Sequence, residues 1–163
     1  MQNLNIQSNM QNLFLDIENA ITRSVPKDYR NSWRMIEIDH QSETYDPSLL
    51  KRLTQAIGSP YAMGLYIYEY DSLVGNQIDT LYVGKSKTLP SRLWNHYKER
   101  HNLTGSPTWR RFWGMHTHKM KVYVHEVGYK GTALQDEACR IIAERYFISS
   151  LKPISELHSK SVK

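Results

Sequence analysis

The sequence predicts an α+β fold: a small three-stranded antiparallel sheet flanked by helices, preceded by an N-terminal helical extension. Three observations predict it. Residues 61–84 hold two runs rich in β-branched and aromatic residues, separated by a polar stretch with Gly-Asn at its centre. A third run, 120–127, alternates with period two. Segments with helical apolar spacing lie before, between and after these runs.

Each element can be justified in turn. Residues 1–12 are rich in Gln and Asn and read as a frayed end. Leu13, Leu15, Ile17, Ala20 and Ile21 then recur at roughly helical spacing until Pro26 closes the segment. Residues 33–38 read as a short strand or an extended arm. Asp46-Pro47 predicts a helix start, with Asp as N-cap and Pro as first helical residue, and Gly58 predicts its C-cap. Ser59-Pro60 breaks the chain, which sets a boundary between an extension over 1–60 and a main domain over 61–163. Residues 61–70 and 80–84 form a hairpin with a slightly long loop. Leu89-Pro90 opens a helix, PSRLWNHYKER, and Gly105-Ser106-Pro107 separates it from a helical turn over 108–113. In the third strand Met120, Val122 and Val124 share one face and Tyr123, His125 and Val127 the other. The last helix, 132–151, carries Leu134, Ala138, Ile141, Ile142, Arg145 and Ile148 along one stripe, and Pro153 stops it.

The 163 residues are 40% apolar and 23% charged, as in a folded single-core protein. No stretch approaches about 18 uncharged apolar residues, so no membrane span is expected. The first 20 residues lack the basic patch, apolar run and small-residue site of a secretory leader. Cys139 is the single cysteine, which excludes an intrachain disulfide and a cysteine-based zinc cluster; it reads as buried and inert. This composition fits a reducing, cytoplasmic setting. Net charge is +5, unevenly spread: 1–60 sum to −1, whereas 85–121 hold nine Lys or Arg against Glu99 alone. That stripe includes Lys85, Lys87, Lys98, Arg110 and Arg111. It fits a polyanion partner, or a solvated basic surface. The extension has no basic excess, which points to packing or dimerisation there.

Two tripeptides, Gly64-Leu65-Tyr66 and Tyr82-Val83-Gly84, fall on the two hairpin strands. Arg92 lies ten residues after Tyr82, His96 four further on, and Glu144 stands nine residues before Pro153 of a Lys-Pro pair. In order, spacing and element this set resembles the GIY-YIG endonucleases, over about residues 63–153. Two departures stand out: the gap between the tripeptides is long, and Ile154-Ser155-Glu156 replaces the Asn that often follows Lys-Pro. The resemblance implies a metal-dependent DNA endonuclease. Tyr66 would be the general base or water-orienting phenol, with Tyr82 assisting or contacting the phosphate. Arg92 and His96 would complete the catalytic set, and Glu144 would hold Mg2+ or Mn2+. It also implies a homodimer of restriction type, since similar compact members pair to cut both strands. A structure-specific repair nuclease, or a non-catalytic nucleic-acid-binding module of the same fold, would leave the same motifs.

The chemistry can be stated without the family. Phosphodiester hydrolysis needs an activated water, a Lewis acid and positive charge at the transition state. Glu144 offers an oxygen ligand to a hard divalent ion, with Glu137 two turns earlier as a distant outer group. Arg92 and His96, four apart on a helix, share a face. Arg92 offers a fixed fork to phosphate oxygens, and His96 titrates near neutrality. A free phenol near pKa ~10 is a poor base at neutral pH, so Tyr66 would need cations beside it, Lys85, His96 and Arg92 being candidates. Gly64 and Gly84 would let phosphate approach the backbone. Each group also has a plainer fate: core aromatics for the tyrosines, a solvated helix face for Arg92, His96 and Glu144. Trp109 to Trp113 either stack on bases or tuck into the core, and His116 and His118 read as loop or basic-surface residues.

Overall fold

In a computed structural model the chain is described over residues 25–72, 77–127 and 133–155, with side chains of the last segment from 136 onward. The predicted helix between Leu13 and Pro26 and the Gly-Asn turn lie outside these residues. Nine elements follow in order: α1 (Tyr29–Ser32), β1 (Arg34–Asp39), α2 (Leu49–Ile57), β2 (Gly64–Asp71), β3 (Ile78–Ser86), α3 (Leu89–Arg100), α4 (Pro107–Met115), β4 (Lys119–Glu126) and α5 (Ala133–Leu151). No helix among the described residues is long and apolar enough to cross a membrane.

The α+β class holds, but the sheet has four strands, not three. Its order is β1-β4-β2-β3 and every pairing is antiparallel. The fourth strand is β1, where an extended arm was the alternative. It pairs with β4 from Arg34 opposite Val124 to Asp39 opposite Lys119. Only Ile38 is fully buried along it, because an edge strand leaves charged residues in water and so carries a weak pattern. Predicted strands and helices in the rest of the chain are found with ends moved by up to three residues.

Helices cover both faces of the sheet. On one, Tyr66, Tyr68, Met120, Val122 and Val124 pack with Leu53 and Ile57 of α2, Leu93 and Tyr97 of α3, and Trp113 of α4. The boundary drawn at residue 60 therefore falls between elements that share this core. On the other, Leu65, Ile67, Val83 and Tyr123 pack with Ala143 and Phe147 of α5 and with Val25, Tyr29 and Trp33. Buried Glu69 accepts hydrogen bonds from Tyr29 and Arg30 and ties that N-terminal turn to β2. The stripe predicted on α5 is rotated: among the described side chains of α5, Arg140, Ala143 and Phe147 are the buried positions, and Arg145 is exposed. Cys139 is half-buried rather than buried.

Local chemistry explains the element ends. α2 begins at Leu49 rather than Pro47, because Asp46 Oδ1 accepts from Ser48 N (2.9 Å) and Ser48 Oγ (2.6 Å) and forms a turn before the helix. Gly58 closes α2 in the left-handed conformation, φ 96°. Ser106 caps α4 through Trp109 N, with Pro107 in the first turn. After α5, Ile154 N and Ser155 N donate to the carbonyls of Thr80 and Leu81. The segment that departs from the family pattern is thereby docked on the edge of β3.

Candidate active site

The site is built on the hairpin. From Gly64–Ser86 to Tyr68–Tyr82 the register of β2 and β3 is regular, and it shifts between Tyr68 and Glu69 to leave Leu81 as the extra residue of a bulge. This sets Tyr66, Tyr68, Tyr82 and Gly84 on one face. A Cβ on Gly84 would overlap the Tyr66 phenol and the Tyr82 ring, so the glycine makes room for a side chain. Gly64 makes room for the His125 carbonyl of β4. Both glycines serve packing within the protein.

α3 crosses this face and presents Arg92, His96 and Glu99 to it. His96 Nε2 is 2.9 Å from Tyr66 Oη, and Arg92 Nε donates to the same oxygen at 3.3 Å. Tyr66 and Tyr82 stack with ring centroids 5.9 Å apart. Arg92 also lies over the half-buried Trp109 ring, 5.3 Å from its centroid. Tyr66, Tyr82, Arg92 and His96 thus form one cluster. Glu144 reaches it by charge: it raises Tyr82, and Lys85 acts on it in turn.

Electrostatics divide the cluster into an inner and an outer part. Burial raises the Tyr66 phenol well above its ordinary value, against the opposing pull of Arg92. His96 is fully buried, and burial first, then the Arg92 charge, holds it neutral. It is not one of the cations expected to ionise Tyr66. Tyr82, half-buried, is raised by burial and by the Glu144 charge, and drawn down by the Arg92 charge and by hydrogen bonding with Tyr66 and Arg92. Arg92 stays charged: burial opposes the charge, and Tyr66, Tyr82 and Glu99 outweigh it. Burial raises Glu144 as well, with Lys85 and Arg145 opposing.

The basic residues are spread wider. Lys85 is held by Glu137 at 3.2 Å, and Glu137 is also bound by buried Arg140 at 2.7 Å. Lys87, Arg110 and Arg111 are exposed, and Arg110 Nε donates to Thr104 O. Lys98 lies over Trp94, in the aromatic group with Tyr45 and Tyr97. Phe112 and Trp113 are core residues, whereas Trp109 borders the site. His118 stacks flat on Tyr70, centroids 3.8 Å apart, and burial keeps it and His116 low, so neither adds to a basic surface.

Three neighbours of the cluster escape a reading of motifs. Trp113 Nε1 donates to His96 Nδ1 at 3.3 Å, Glu99 Oε1 lies 3.5 Å from the same nitrogen, and Trp109 flanks Arg92. The available signal was spacing: Glu99 is three residues after His96, and Trp109 and Trp113 are four apart.

Among the described residues no three His, Cys, Asp or Glu side chains converge as a metal cluster. Glu144 forms no salt bridge with a described residue, and its half-buried carboxylate acts by charge on Tyr82. This suits a hard divalent ion that keeps most of its shell as water and phosphate oxygen. No protein-family model, curated protein or solved structure matches the chain.

Proposed function

We propose that the protein is a divalent-metal-dependent DNA endonuclease of the GIY-YIG type that hydrolyses phosphodiester bonds. The observation that carries this reading is the convergence of two phenols, a guanidinium and a neutral imidazole, with Glu144 in electrostatic reach of the outer phenol. Arg92 is the fixed positive charge for the phosphoryl oxygens. The phenols orient the attacking water and the phosphate. Glu144, with waters and a phosphate oxygen, would hold Mg2+ or Mn2+, which supplies Lewis acidity when bound. Exposed Lys87, Arg110 and Arg111 contribute sequence-independent attraction to the backbone of DNA.

The test is incubation of supercoiled and linear plasmid with Mg2+ or Mn2+, and again with chelator. Wild type should cut only with the ion. Glu144→Ala should bind DNA with unchanged salt dependence and lose at least about a hundredfold in rate. A variant that cuts at the wild-type rate refutes the assignment of Glu144. Binding without cleavage under any divalent ion refutes catalysis and leaves a binding module.

A further inference from the structure

His96 Nδ1 faces two groups that make opposite demands on it. On one side the indole N–H of Trp113 donates to it at 3.3 Å, which needs a bare nitrogen. On the other lies Glu99 Oε1 at 3.5 Å, and an ionised carboxylate there needs a proton on the nitrogen. All three side chains are buried: Trp113 and His96 are 0% exposed and Glu99 is 3% exposed. Bulk water therefore screens none of them, and Glu99 Oε2 has no hydrogen-bond partner among the described residues. Gly105 leaves room for this carboxyl, since a Cβ there would lie 2.6 Å from Glu99 Cγ. A buried carboxyl with one oxygen unpaired costs stability, and such a group directly behind a candidate site calls for a role in it.

We propose that Glu99 is a positioning residue: its carboxyl decides which ring nitrogen of His96 carries the proton, and through that whether Tyr66 receives a hydrogen bond from the ring or gives one. His96 is neutral and holds a single ring proton. With Glu99 protonated, Nδ1 is bare and accepts from Trp113, and Nε2–H donates to Tyr66 Oη across 2.9 Å. With Glu99 ionised, Nδ1–H donates to the carboxylate, a charge-assisted bond roughly twice as strong as the indole bond it replaces. Nε2 is then bare, and the Tyr66 O–H donates to it across the same 2.9 Å while Tyr66 Oη still accepts from Arg92 Nε. The proton count closes: one proton leaves for solvent, the ring stays neutral, and the ring proton changes nitrogen. Burial raises the Glu99 carboxyl to about 7, so the change falls near neutral pH. The other charged or titratable groups that face it are Arg92 of its own helix, which keeps its charge, and Tyr68 of β2, which burial keeps neutral. His40, which follows β1, packs on Tyr68 and Trp113 and also stays neutral, and α4 brings Trp113, which does not titrate. A phenol whose O–H is drawn to His96 has the more electron-rich oxygen, so the ionised state is the one that favours attack by water. That consequence rests on the nuclease reading. The change of ring nitrogen does not.

Two measurements test it. The first is 15N NMR of the wild-type His96 ring at about pH 5.5 and about pH 8.5. The ring should stay neutral at both, and its proton should move from Nε2 to Nδ1 with a midpoint at about 7. The same tautomer at both pH values, or a charged ring at either, overturns the proposal whether or not the protein cuts DNA. In Glu99→Gln the movement should vanish; a movement that persists overturns the role of Glu99, and the wild-type spectrum decides the question if that variant does not fold. The second is single-turnover cleavage with saturating DNA and Mg2+. The ionised fraction of a carboxyl titrating at about 7 rises about tenfold between about pH 6 and about pH 8, so the ratio of the wild-type rate to the Glu99→Gln rate should rise about tenfold over that interval, at unchanged affinity for DNA. A constant ratio overturns the consequence for cleavage. Absence of cleavage by wild type removes that consequence together with the nuclease reading, and the ring spectrum then decides the role of Glu99 alone.

Discussion

Glu99 has no charge partner suited to its burial, and replacing it by Gln tests that directly. It is 3% exposed on α3, with Oε1 3.5 Å from His96 Nδ1 and Oε2 without a hydrogen-bond partner among the described residues. Burial pushes its carboxyl from 4.5 up to about 7, and the Arg92 charge only partly opposes this. Between those two values the folded protein binds a proton that the unfolded chain has released. The associated stability is present at low pH, is lost as pH rises from about 4.5 to about 7, and does not return above that. At ~1.4 kcal/mol per decade the full loss is about 3 kcal/mol. Gln has the same shape and never ionises. Glu99→Gln should therefore gain on wild type by about 2–3 kcal/mol between about pH 5 and about pH 8, most of the calculated loss falling in that window. Urea unfolding at the two pH values, extrapolated to water, measures it. His40, held neutral by burial and away from the substituted carboxyl, contributes equally in both proteins and cancels from the difference. A gap of equal size at both pH values would refute an uncompensated carboxyl at this position.

Two further substitutions probe the packing on which the site depends. Gly84→Ala should cost about 1–3 kcal/mol and abolish cleavage while DNA affinity is kept, because the new methyl overlaps both Tyr66 and Tyr82; a fully active variant, read by unfolding and plasmid cleavage, would show that the phenols need not be held as described. Gly105→Ala should cost about 1–2 kcal/mol in thermal or urea unfolding, since Gly105 sits at φ +88° and a Cβ there would lie 2.6 Å from Glu99 Cγ; an unchanged midpoint would refute the strain.

The sequence made much of the fold legible because hairpin, strand and helix each carry a strong local signal. Gly58 and Ser106 end or begin their helices through interactions within a few residues, so their residue types announce them. β1 was harder, since an edge strand with one fully buried residue lacks the alternation that a half-buried strand displays. Its membership of the sheet depends on pairing with β4, some 85 residues away. The rotated face of α5 has the same origin: the stripe included Arg145, whose long apolar stem mimics a core position, while Ala143 and Phe147 are chosen by the sheet they pack on.

The site divides along a similar line. Motif spacing can bring Tyr66, Tyr82, Arg92 and His96 to one place, because all four sit on two paired strands and the helix that follows them. It cannot say which of them faces water. That depends on Trp113, which arrives from α4 and fills the space behind His96. An aromatic four residues from another reads as packing, and Trp113 is packing: it is fully buried in the larger core. Yet its indole N–H also donates to His96 Nδ1 at 3.3 Å, directly behind the Tyr66 phenol that the other ring nitrogen meets. A ring that only fills volume and a ring that also donates a hydrogen bond leave the same periodicity in a sequence. They differ in the position of one nitrogen, and that nitrogen connects the core of this protein to the chemistry of its surface.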